Sequence, residues 1–83
     1  MITKETARTI TRQGQLAIIL KAIAEINHEI KKSAEQGYDG ISMDLHTRKL
    51  DKVERRTIRL CYEILGYTKV RIGKRSCNIE WGE

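Results

Sequence analysis

Four cations, Lys52, Arg55, Arg56 and Arg59, stand at i, i+3, i+4 and i+7, so on a helix they would share one stripe. Further along, Lys69 and Arg71 alternate with Thr68, Val70 and Ile72, and Lys74 and Arg75 fall in the turn-forming run GKRS. Fully protonated side chains of this kind do anion chemistry: they hold the phosphates of a nucleic acid or the carboxylates of an acidic partner. If the start of that helix and the tip of a following hairpin come together, the eight cations form one footprint. No helix-turn-helix signature accompanies them, and Tyr67 is the one aromatic expected on the open sheet face, so nothing in the pattern reads or stacks bases.

Catalysis is poorly provided for. Asp44 and His46 fall on one face of a period-two run, and Tyr67, Lys69 and Arg71 could share that surface. His28 has only Glu25, Lys31 and Lys32 at helical spacing. No glycine-rich phosphate loop, nucleophile elbow or metal-ligand spacing is present, so we expect no enzyme and no cofactor. Cys61 and Cys77 form no CxxC pair and read as reduced, core-facing packing residues.

The basic character belongs to one segment. Residues 1 to 47 are neutral, with six Lys/Arg against six Asp/Glu. Residues 48 to 75 carry a net +7, and Glu80 and Glu83 bring the chain to +5. No apolar run approaches the roughly 18 to 20 residues of a membrane span, and the start of the chain lacks the apolar core of a secretory signal. A cytoplasmic protein without membrane contact is expected.

The elements that must position these residues follow from periodicity and punctuation. Leu16, Ile19, Leu20, Ile23, Ile26 and Ile30 make one helical stripe that stops at Gly37, and Thr3 is the expected N-cap. Such a helix runs longer than a small domain needs, so residues 1–15 read as an arm or helix extension and 16–83 as a single domain. Ile41, Met43 and Leu45 alternate with Ser42, Asp44 and His46 as a half-buried strand. Asp51 with Glu54 is a capping box, and Leu50, Val53, Leu60, Cys61 and Ile64 are the expected core stripe of a second helix closed by Gly66. With GKRS as a four-residue loop, Ile72 faces Cys77, Val70 faces Ile79 and Lys69 faces Glu80. The result is an α+β fold, a two-layer sandwich in the order helix-strand-helix-strand-strand, with two helices covering one face of a three-stranded sheet.

A long first helix, a strand like ISMDL, a capped helix ending in GY and a hairpin of the form YTKVRI…CNIEW resemble the build of short accessory proteins of tailed bacteriophages. The resemblance spans residues 16 to 82. It implies a small protein in the host cytoplasm that acts by binding, often on a host factor, and it transfers no functional residues.

A chain of 83 residues buries only roughly 60 to 65% of its unfolded surface, so a second copy is a natural source of further apolar contact. Ile18, Ala22 and the arm residues Ala7 and Ile10 lie off the main stripe and are the expected self-association residues, in a homo-oligomer with a dimer favoured. Ile58 and Tyr62 are likewise left off the core stripe and are expected at an apolar partner surface. The sequence therefore favours a non-enzymatic protein-binding module, with nucleic-acid binding through the basic stripe and hairpin as the alternative.

Overall fold

The computed structural model describes residues 2–82. The first helix, α1 (Lys4–Glu35), opens at Thr3, whose hydroxyl accepts the Thr6 N–H at 3.1 Å. Glu5 in its first turn and Lys32 in its last complement the helix dipole. It ends where Gly37 takes φ +87°, a backbone conformation that side chains resist. Strand β1 (Gly40–Asp44) follows. The second helix, α2 (Lys52–Ile64), starts from a reciprocal capping box: the Glu54 N–H donates to Asp51 Oδ1 at 2.8 Å and the Asp51 N–H donates to Glu54 Oε1 at 2.9 Å. Gly66, at φ +101°, turns the chain out of α2 into the hairpin β2 (Lys69–Ile72) and β3 (Ser76–Glu80).

The sheet order is β1-β3-β2 with both pairings antiparallel, so β3 is the central strand although it comes last in the chain. The hairpin register is the expected one: Ile72 opposite Cys77, Val70 opposite Ile79, Lys69 opposite Glu80. Lys69 Nζ lies 3.4 Å from Glu80 Oε2 across the open face. Helix α1 packs on β1 and α2 on β2, and the core between the layers holds Ile19, Ala22, Ile26, Leu45, Leu50, Ile58, Tyr62, Cys77 and Ile79. The architecture is the α+β helix-on-sheet arrangement that the hydrophobic periodicity indicates.

The rotation of the helices differs from the expected one. On α1 the buried row is Ile19, Ala22 and Ile26, while Leu16 and Leu20 stand more than half exposed. Ala22, expected at a self-association surface, is fully buried, and Ile18 is half-buried against the core. On α2 the buried row is Glu54, Ile58 and Tyr62, at i, i+4 and i+8, so the two residues expected at an outer surface are inside. Val53, Leu60 and Ile64, expected inside, are 65%, 42% and 82% exposed. The charged residue at the head of the buried row disguises it: Glu54 turns inward, and Ile58 and Tyr62 follow on its face. Tyr67 also moves, from the expected open face to a half-buried position edge-on between Tyr62 and Trp81, with ring centroids 5.6 and 6.2 Å away.

Residues 2–14 are all exposed. Gln15 Nε2 donates to Asp51 Oδ2 at 3.1 Å and ties α1 to the start of α2. The 32-residue helix is about 48 Å long at ~1.5 Å per residue. It accounts for the molecule's 54 × 21 × 17 Å extents.

Candidate partner-binding surfaces

The two flanks of α2 carry different chemistry. On the flank over β2, Lys52, Arg55, Arg56 and Arg59 face Arg71 across a cleft of about 470 Å³. The half-buried side chains of Val70 and Ile72 contribute its apolar lining. None of the cleft-lining residues is acidic. Glu63 pairs with Arg59 along the helix at 3.5 Å, and Glu54 points away into the core. The structure thus brings five of the eight sequence-identified cations into one concavity. Lys69 stands on the open sheet face beside Glu80, in a second recess that Arg71 also borders. Lys74 and Arg75 lie exposed at the hairpin tip.

That tip is held against the start of α2. The carbonyl of Lys74 accepts the Leu50 N–H at 2.8 Å, and the carbonyl of Arg75 accepts the Leu45 N–H at 2.7 Å. Helix start and hairpin tip therefore adjoin, which is the condition for one continuous positive surface. Anions approaching it meet guanidinium groups above and the free edge of β2 below.

On the opposite flank α2 is apolar. Val53, Leu60 and Ile64 fall within roughly 40° of one another and roughly 140° around the helix from Ile58. Leu16 and Leu20 lie on the same side of α1 as Ile23 and Asn27, at i, i+4, i+7 and i+11. Ile23 and Asn27 face α2, because the Tyr62 hydroxyl donates to Asn27 Oδ1 at 2.7 Å with the Ile23 carbonyl oxygen 3.3 Å away. Gln15 meets Asp51 and Asn27 meets Tyr62, so the two helices advance side by side in the same direction. The outer surface of the pair consequently presents Leu16 and Leu20 beside Val53, Leu60 and Ile64, all exposed.

Beneath these surfaces the polar groups are accounted for. Fully buried Glu54 takes two bonds from the Arg48 guanidinium, at 3.0 and 2.6 Å, besides the Asp51 N–H. Burial, and after it the nearby Cys77 thiol, push the Tyr62 hydroxyl well above its ordinary range, so it remains a donor to Asn27. Burial pushes the Cys77 thiol up to about 11, while Cys61, at intermediate exposure, is less enclosed; both are free thiols. His46 is largely exposed and its Nδ1 lies 3.0 Å from Glu25 Oε1. Central strand β3 separates Asp44 on β1 from Lys69 and Arg71 on β2, and the register offsets them further along the strands, so their backbone positions are more than about 10 Å apart and form no common acid–base site. Among the described residues, no group of three His, Cys, Asp or Glu could hold a metal ion, and no helix is long and apolar enough to cross a membrane.

Sequence reasoning located the cleft cations but missed Arg48, which is among the ten cations of residues 48–75 and lies six positions before Glu54. An arginine that close to a capping-box glutamate was the available signal. Comparison of the chain with protein-family models, curated proteins and solved structures finds no match.

Proposed function

We propose that this protein is a non-enzymatic binding module that works as a homodimer joined through the outer face of the α1–α2 pair. The observation that carries the reading is the exposure of Leu16, Leu20, Val53, Leu60 and Ile64, which helical spacing and the α1–α2 contacts put on one side of the helix pair. Scattered exposed aliphatics are ordinary, but a contiguous patch on a small domain is characteristic of an interface. Burying it contributes about 25 cal/mol per Å² of apolar surface before the costs of association.

A second copy suits this face for a geometric reason. An isologous contact sets the same patch against itself, stacking two helix pairs between two sheets. The exposed arm, with Ala7 and Ile10, extends beyond each domain and can lie along the partner. Ile18 and Ala22 take no part in this interface; the outer leucines, valine and isoleucine replace them. A small cytoplasmic protein acting by contact is also what the resemblance to phage accessory proteins implies.

The test is sedimentation equilibrium at tens of micromolar, with the wild type beside a Leu20→Glu/Leu60→Glu variant. A dimer mass for the wild type and a folded monomer for the variant support the reading. A strictly monomeric wild type refutes it.

A further inference from the structure

We propose that the free edge of β2, at the mouth of the basic cleft, captures an extended acidic segment of another protein as a fourth strand of the sheet. This goes beyond the dimer reading and uses a separate surface.

The first observation is the backbone of β2. In an antiparallel ladder, residues alternate between pairs that exchange hydrogen bonds and pairs that do not. The Gly73 N–H donates to the Ser76 carbonyl at 2.8 Å, so by alternation Arg71 and Lys69 bond to β3 while Val70 and Ile72 do not. The other side of the sheet agrees: Leu45 donates to Arg75, which places Met43 with Cys77 and Ile41 with Ile79 in the bonded pairs of β1. Val70 and Ile72 therefore aim their N–H and C=O groups outward, where no strand among the described residues neighbours β2. Two donors and two acceptors in an extended row form a template for another strand.

The second observation is charge. A strand added at this edge places alternate side chains beneath Lys52, Arg55, Arg56 and Arg59 and the others beside Lys69 and Arg71. On the open face Lys69 is already paired with Glu80, but four cations on the helix side and Arg71 at the edge leave the two faces strongly positive, so the complementary occupant is acidic. The same charges keep the β2 edges of two copies from pairing with each other, since each would set like charges side by side. The edge thus refuses itself while remaining open to an acidic strand.

A nucleic acid fits less well. A phosphate chain satisfies the guanidinium groups but offers no donor to the outward carbonyls of Val70 and Ile72. Tyr67 packs edge-on against both Tyr62 and Trp81, and none of the cleft-lining residues is aromatic, so bases have no aromatic stacking surface there.

The experiment uses fluorescein-labelled peptides of alternating Glu and Val, about ten residues long, enough to span β2 at ~3.4 Å per residue. Anisotropy is read at physiological ionic strength against three controls: a Lys/Val peptide, the Glu/Val peptide N-methylated at alternate residues, and an oligothymidylate. We expect saturable binding of the Glu/Val peptide alone, weakened about tenfold or more by Arg55→Gln/Arg59→Gln, with the peak shifts of labelled Val70 and Ile72 amides confirming the edge. Leu60→Glu, which tests the dimer, should leave peptide binding unchanged. Equal binding of the N-methylated peptide would reduce the effect to surface charge and overturn strand capture. Tighter binding of the oligothymidylate would reassign the cleft to single-stranded nucleic acid, and absence of peptide binding would refute the proposal outright.

Discussion

The flank of α2 over β2 and the flank turned outward beside α1 are built from one stretch of thirteen residues, yet they were unequally legible. The cationic flank could be read directly, because four charges at helical spacing have nowhere to go but outside. The apolar flank could not. The helix carries two apolar rows, Ile58 with Tyr62 and Val53 with Leu60 and Ile64, and periodicity alone does not say which faces the sheet. A stripe of four like charges identifies a surface by itself, whereas a single charge such as Glu54 can turn inward to a partner, and an aliphatic stripe identifies either a core or an interface, with only packing deciding between them.

The two apolar rows of α2 should differ most in what their truncation costs. Ile58→Ala should cost about 2–5 kcal/mol, the usual loss for emptying a tightly packed aliphatic site. Ile64→Ala should cost under ~0.5 kcal/mol in the monomer, measured by urea denaturation of the folded Leu20→Glu/Leu60→Glu background. Equal losses at the two positions would mean that α2 is rotated from the arrangement described here.

A smaller effect separates structural cations from those of the cleft. Arg48→Ala strands a buried carboxylate and should cost about 1–3 kcal/mol. Neutralising Arg55, Arg56 and Arg59 together should leave the thermal midpoint nearly unchanged, since these side chains lie off the packed face. A triple variant as unstable as Arg48→Ala would show that the cleft cations also hold the fold.

The smallest expected effect concerns the two thiols. Cys77 has its pKa raised from 9.0 to about 11 by burial, so between these values the folded state keeps a proton that the unfolded state loses. Its contribution to stability is complete below about pH 9 and declines as pH rises toward about 11. Iodoacetamide should accordingly modify Cys61 well before Cys77 at pH 8, read by peptide mass. Simultaneous labelling would place both thiols on one surface.

Most of the fold was legible because each boundary has a local chemical cause. Thr3, the Asp51–Glu54 box, Gly37 and Gly66 mark helix ends through hydrogen bonds and backbone freedom within a few residues. The hairpin register followed from alternation combined with the Lys69–Glu80 charge pair. The rotation of both helices, the Arg48–Glu54 clasp and the inward position of Tyr67 depend on partners distant in space, and no single stretch of sequence contains them. The candidate cleft was half legible for the same reason: its cations, Arg71 included, stand in local patterns, but the approach of β2 that sets Arg71 opposite the α2 stripe and brings in Val70 and Ile72 is tertiary.

The central place of β3 governs the order in which this molecule can come into being. Strands β1 and β2 never touch, and every rung of the sheet passes through Ser76–Glu80. During synthesis the two helices and both outer strands are made first, yet no sheet can close until that last strand is available to thread between them. Until then the apolar undersides of α1 and α2 have no layer to cover, and the nascent chain exposes them. Closing β1 onto β3 also joins residues 32 (Asp44 with Ser76) to 40 (Gly40 with Glu80) positions apart, a long loop whose entropy must be lost before the pairing returns any energy. In a chain built this way, every strand pairing waits on Ser76–Glu80.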